Sequence, residues 1–232
     1  MLVAGHQAEF LPWLGFWNKV ACCDVFIIVD NVQFKRHHFE NRNKVRVRST
    51  PHWQYITVPV RRAGREQLIK NVRLADDGGR WKRKLLKTIE ASYSTFPYFQ
   101  PLFGMLSTVI IEESEFLAVL NRRLIAVIMH YLGIQRRVIV QSATGVEAHG
   151  TDLINALTSL GGGAAYLSGP SGRNYLDRER LKVPVQFTNF HHPVYEHPYG
   201  SFLPGMSVID VLFSIGPSKT MELIQRDIPT EF

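Results

Sequence analysis

The chain has 232 residues, 45 % of them hydrophobic, and a formal net charge of +7. That content suits one medium domain over 1–232, while no apolar run approaches the roughly 18 residues that span a bilayer. Residues 1–20 lack a basic leader and are interrupted by Pro12 and Trp13, so no signal peptide or membrane insertion is expected and a cytoplasmic location is.

The first element is a short apolar strand over residues 2–5, which delivers His6 and Gln7 to its end. Residues 12–21 read as a helix, with Leu14, Trp17, Val20 and Ala21 at helical spacing. Adjacent Cys22 and Cys23 close it. Neighbouring thiols rarely bridge, and a helix C-terminus disfavours a thiolate, so both are read as structural. The continuous run Val25–Val29 reads as a buried strand ending at Asp30. Strand, helix, strand with right-handed crossover makes the two strands parallel neighbours. His6 and Asp30 then share the carboxyl edge, where open α/β sheets bind ligands.

Residues 35–87 carry sixteen Lys/Arg against four Asp/Glu, while the remainder of the chain is net acidic. A basic lobe on a mildly acidic body implies an anionic partner. Within it, Gln33, Arg36, Asn41, Arg42 and Asn43 are dense in donors suited to phosphate or carboxylate. Residues 45–49 and 53–60 alternate with period two and predict a hairpin with one basic face. Residues 31–79 are therefore read as a basic loop and hairpin lobe. Residues 80–133 are read as a mainly helical segment, with helices over 80–93, 97–112 and 115–132.

The α/β rhythm resumes with a strand over 138–140, a helix over 151–160 and a strand over 165–167. The last runs into the turn Ser168-Gly169-Pro170-Ser171-Gly172. Such a turn can present hydroxyls and backbone N–H groups to an anion. A strand over 183–190 precedes His191, His192, Tyr195 and His197, and helices over 206–215 and 218–226 close the chain. The three histidines lack clean metal-ligand spacing, so no metal is expected; His192 joining His6 is the favoured reading. The fold class expected is α/β: a Rossmann-like, open, mainly parallel sheet flanked by helices, with the basic hairpin and the helical segment inserted.

His6-Gln7, Leu11-Pro12-Trp13-Leu14-Gly15-Phe16, Asp30, Gln33-Phe34, Asn41-Arg42-Asn43, Ser168-Gly169, His192-Pro193-Val194-Tyr195 and Ser207-Val208-Ile209-Asp210 together resemble the WbqC-like family. The resemblance runs from end to end, with Ala8 standing where the family usually has proline. It implies a transferase-like role in bacterial surface-polysaccharide or specialised-metabolite pathways. The expectation drawn from it is transfer of an activated acyl group to a small amine or amino sugar, without a cofactor. His6, Asp30 and His192 are the expected catalytic residues, with Asp30 orienting His6. Gln7, Gln33, Arg36, Asn41, Arg42, Asn43, Ser168, Gly169 and Tyr195 are the expected substrate-binding residues. The anionic donor would be a carrier-protein thioester or a nucleotide sugar. The alternative is a non-catalytic module that binds a nucleotide sugar or an acidic carrier protein through Arg42 and Arg46. Nucleic acid is disfavoured, because Trp53 and Tyr55 alone make a thin stacking platform.

A second likeness is architectural, to the opening of the nucleotidylyltransferases. Residues 11–16 contain no histidine, so that family's phosphate-binding chemistry is not expected here.

Overall fold

The computed structural model describes residues 1–50, 52–61, 66–226 and 230–231. Its main sheet has six strands: β1 (Leu2–Gln7), β2 (Val25–Val29), β5 (Arg137–Val140), β6 (Ala165–Ser168), β7 (Val185–Phe187) and β8 (Thr230–Glu231). Their spatial order is β5-β2-β1-β6-β7-β8. The first five are parallel and β8 closes the edge antiparallel. The chain runs outward from central β1 to β2 and β5, then returns to the other side of β1 as β6. That reversal is the topological switch point of a Rossmann-like sheet.

Alternation along the strands explains how the sheet is covered. Val3, Val25, Ile27 and Val29 face one apolar cluster, shared with Ile154 and Leu157 of α5 (Gly150–Gly161). Ala4, Phe26 and Ile28 face a larger one. The larger cluster takes in α1 (Leu14–Cys22), α2 (Arg80–Tyr93), α3 (Phe99–Ile111), α4 (Leu117–Tyr131) and α6 (Val208–Ile224). It also includes Val45 and Ile56 of the separate antiparallel hairpin formed by β3 (Arg42–Arg46) and β4 (Trp53–Thr57). The hairpin and helical segment therefore share a core with the sheet. Among the described residues no helix is long and apolar enough to cross a membrane.

Most expected elements are present, with three informative differences. Helix α1 begins at Leu14, not residue 12, because the Pro12 carbonyl is taken by Val208 N and Trp17 Nε1, at 3.0 and 3.2 Å. The strand expected over 183–190 is only Val185–Phe187, since its pairing with β6 ends at Ser168. The two closing helices run end to end as α6, broken at Gly216 (φ 77°, ψ 176°) before Pro217. A Cβ at Gly216 would lie 2.6 Å from the Tyr98 ring, so this break needs glycine for both conformation and space.

Candidate active site

At the switch point the two central strands part at one definite place. β1 stays paired with β2 through Gln7↔Val29, but with β6 only through Ala4↔Leu167. From Gly5 onward the two central strands part. Side chains then satisfy the Gly5 backbone: Gly5 N donates to Tyr166 Oη (3.1 Å) and Gly5 O accepts from Lys19 Nζ (2.7 Å). His6 and Gln7 follow directly, half-buried at the mouth.

Beneath His6 lies a group of buried ionisable side chains. Glu9 Oε1 is 3.6 Å from His6 Nδ1, and 24 % of the His6 side chain is exposed against 6 % for Glu9. The His6 ring packs edge-on against Phe16. Burial, reinforced by the Lys19 charge, holds the imidazole down to about 3. Burial and the nearby Glu40 carboxylate push Glu9 up to about 8. Burial brings Lys19 down to about 8, only partly offset by Cys23 and Glu9. Among the described residues Glu9 Oε2 has no hydrogen-bond partner. Three groups thus sit in a setting that favours their neutral forms, which is costly in a merely structural role and common where proton transfer occurs. Glu40, also buried, pairs with His38 at 3.1 Å.

The loop after β1 is braced from two directions. Asn43 Nδ2 donates to the carbonyls of Phe10 (3.3 Å) and Leu11 (2.8 Å), and Ser207 Oγ donates to Leu11 O (2.7 Å). These bonds hold Leu11 at φ 45°, a left-handed conformation that a leucine rarely adopts. The Trp13 ring folds over Gly15, where a Cβ would lie 2.3 Å from it, so the Trp-Leu-Gly spacing is a packing requirement. Asn121 Nδ2 ties Ala8 O to Glu40 O at 2.6 and 2.8 Å.

The other expected site residues fall into distinct places. Among the described residues no hydrogen bond joins Asp30 to His6; its carboxylate accepts from Ser142 N (2.9 Å) and Ser142 Oγ (2.7 Å) in the 3-10 turn Gln141–Ala143. Asn41 is buried and local, accepting from His37 N and donating to Val58 O. Arg42 stacks on Tyr55, 4.0 Å from the ring centroid. Gln33 and Arg36 are exposed. Arg46 is no surface cation. It is fully buried against Asp210, with Nε to Oδ1 at 3.1 Å and Nη2 to Oδ2 at 3.3 Å, and Nη1 donates to the carbonyls of Tyr199 and Ser201. Tyr93 and Tyr195 donate to the same carboxylate, at 2.9 and 2.6 Å. Burial and Asp210 hold both phenols protonated, so Tyr195 is a brace.

His192 is half-buried among Trp13, Phe190 and Phe202, and burial lowers its pKa. It makes no hydrogen bond or ring contact with His6. Ser168 is buried at the end of β6, its hydroxyl donating to Gly169 O, and Gly169 leads into the 3-10 turn Pro170–Asn174. Ser168 is the last residue of β6 and Gly169 follows it. Cys23 is buried and pushed up to about 12, inert as a nucleophile. Among the described residues no three His, Cys, Asp or Glu side chains converge as a metal site.

Sequence reasoning missed Glu9, Lys19 and Glu40. The available signal was Asn18-Lys19 inside a short, otherwise apolar helix between two buried parallel strands, where a polar side chain needs a buried partner.

The WbqC-like protein family matches residues 7–222, and the chain belongs to it. The chain is 32 % identical over 220 residues to the uncharacterized protein Rv1507c of Mycobacterium tuberculosis, covering 92 % of this chain and 94 % of that one. No solved structure matches.

Proposed function

We propose that this member of the WbqC-like protein family is a transferase in which His6 is the general base. The observation that carries the reading is the His6 ring at the parting of β1 and β6, with Glu9 and Lys19 buried beside it. The acceptor is a small amine or amino sugar and the donor an activated acyl group, such as a carrier-bound thioester. The amine nitrogen bonds to the acyl carbon as the carbon–sulfur bond breaks. His6 takes the amine proton and the thiolate leaves, to be protonated in turn. Glu9, not Asp30, is the positioning carboxyl, since it is the acid at the His6 ring. A cytoplasmic step in assembling surface polysaccharides or specialised metabolites fits such a reaction.

The test is a mass-spectrometric screen of carrier-bound thioesters against amines and amino sugars, with the full chain and His6→Ala. A product formed by the wild type and lost in a folded His6→Ala protein supports the reading. An equal yield from both removes His6 from the mechanism. The binding-module alternative cannot use Arg46, which is sealed in the core with Asp210.

A further inference from the structure

A groove of about 710 Å³ lies far along the chain from His6, between α2 and the end of the β3–β4 hairpin. Five cations line it: Arg48, Arg80, Arg83, Lys84 and Lys87, with no carboxylate among the lining residues. The side chains of Arg83, Lys84 and Lys87 make no hydrogen bond or ion pair with any described residue. Arg80 donates Nε to Asp77 O, and Arg48 reaches Thr95 Oγ1 and stacks on Tyr199. Asp77, in the adjoining groove of about 510 Å³, already accepts from Trp81 N. Both volumes are within the range of small-molecule sites, roughly 300–1,000 Å³.

This arrangement opposes the helix that carries it. Arg80 and Lys84, and Arg83 and Lys87, are like charges at i,i+4, which repel. Arg80 and Arg83 lie in the first turn of α2, where the helix dipole is positive and no acid sits, and Lys84 and Lys87 follow in the second. Local stability would favour acids here. The residues chosen make sense if an anion completes them.

The length of the stripe narrows the class. Arg80 to Lys87 spans about 10 Å along the axis, too long and too charged for one phosphate and matched to two or three in line. Guanidinium forks on Arg48, Arg80 and Arg83 suit phosphate oxygens. Gln54, Ser49 and Thr88 add groups for hydroxyl or amide recognition. Base stacking by nucleic acid is pre-empted, because Arg42 covers Tyr55 and Lys44 covers Trp53.

We propose that the groove between α2 and the hairpin binds a small molecule carrying a diphosphate or triphosphate. The assignment is independent of His6 chemistry, and His6→Ala should bind the same ligands unchanged.

Calorimetric titration of the full chain with sodium tripolyphosphate, pyrophosphate and orthophosphate tests it. The condensed phosphates should bind with salt-sensitive affinity and orthophosphate far more weakly. Arg83→Glu with Lys87→Glu should weaken tripolyphosphate by at least about tenfold. That double variant should melt close to wild type without ligand, because the new carboxylates lie three residues from Arg80 and Lys84 and pair with them, and it should lose the rise in Tm that tripolyphosphate gives. Lys84→Gln carries the same comparison should the reversal fail to fold. Absence of binding, or equal affinity in wild type and variants, overturns the proposal. So does tighter binding of a single-stranded oligonucleotide or a poly-glutamate peptide than of tripolyphosphate.

Discussion

Two buried charge clusters flank the loop after β1, and they are built on opposite principles. Around Asp210, every strong group has a partner: a two-point arginine contact, two tyrosine hydroxyls, and two backbone carbonyls for the remaining guanidinium donors. Around His6, the groups are buried but poorly matched. Glu9 keeps an oxygen without a partner among the described residues, its neighbour Glu40 is another acid, and His6, Glu9 and Lys19 are all driven toward neutrality. A satisfied cluster holds a fold in register. An unsatisfied one lowers stability and brings Glu9 and Lys19, though not His6, toward neutral pH. Both would look like polar residues in a sequence; only their partners distinguish brace from site.

The contrast can be broken first at the brace. Asp210→Ala leaves Arg46 buried without its carboxylate and should cost about 3–5 kcal/mol in urea denaturation, enough to threaten folding. A loss below about 1 kcal/mol would show that the cluster is not an integrated brace. His6→Ala should do the reverse: little change in the urea midpoint, but a fall in turnover of about 10² to 10⁴ once a substrate pair is in hand. Asp30→Ala removes two hydrogen bonds to Ser142 and should cost about 1–3 kcal/mol while leaving turnover within a few-fold of wild type. A collapse of turnover at unchanged stability would return Asp30 to the mechanism.

The finest test is Glu9→Gln. Glu9 ionises near 4.5 when unfolded and near 8 when folded, so across that window the folded state holds a proton the unfolded chain lacks. Stability therefore falls as pH rises from 4.5 to 8. His6 contributes the opposite slope, losing stability as pH falls from 6.5 toward 3. Glu9→Gln should remove the first slope alone, stabilising by about 1–3 kcal/mol near the upper end of the window and less below it. Thermal melts across pH would show this as a Tm gain that grows with pH. A uniform gain or a loss would mean that Glu9 is not held neutral in the folded state.

The hydrophobic pattern of the chain was sufficient for the Rossmann-like class. The five-residue run Val25–Val29 can only be a buried strand, and its junction with α1 puts it parallel to β1. The hairpin, the helical segment and the break before Pro217 were equally legible, because alternation, helical spacing and glycine–proline punctuation act locally. His6 was legible for its place at a strand end.

The rest depends on distant partners. Asn43 reads as a ligand donor until it is seen holding carbonyls 32 and 33 residues away, and Arg46 as a surface cation until Asp210 arrives from 164 residues on. Glu9 and Lys19 come together near His6 only because α1 lies across β1 and β6 parts from it after Leu167. Sequence determined the elements and the basic lobe, since those follow from neighbours in the chain. Tertiary structure alone decided which charges are satisfied, because burial and pairing are set by elements that meet only in the fold.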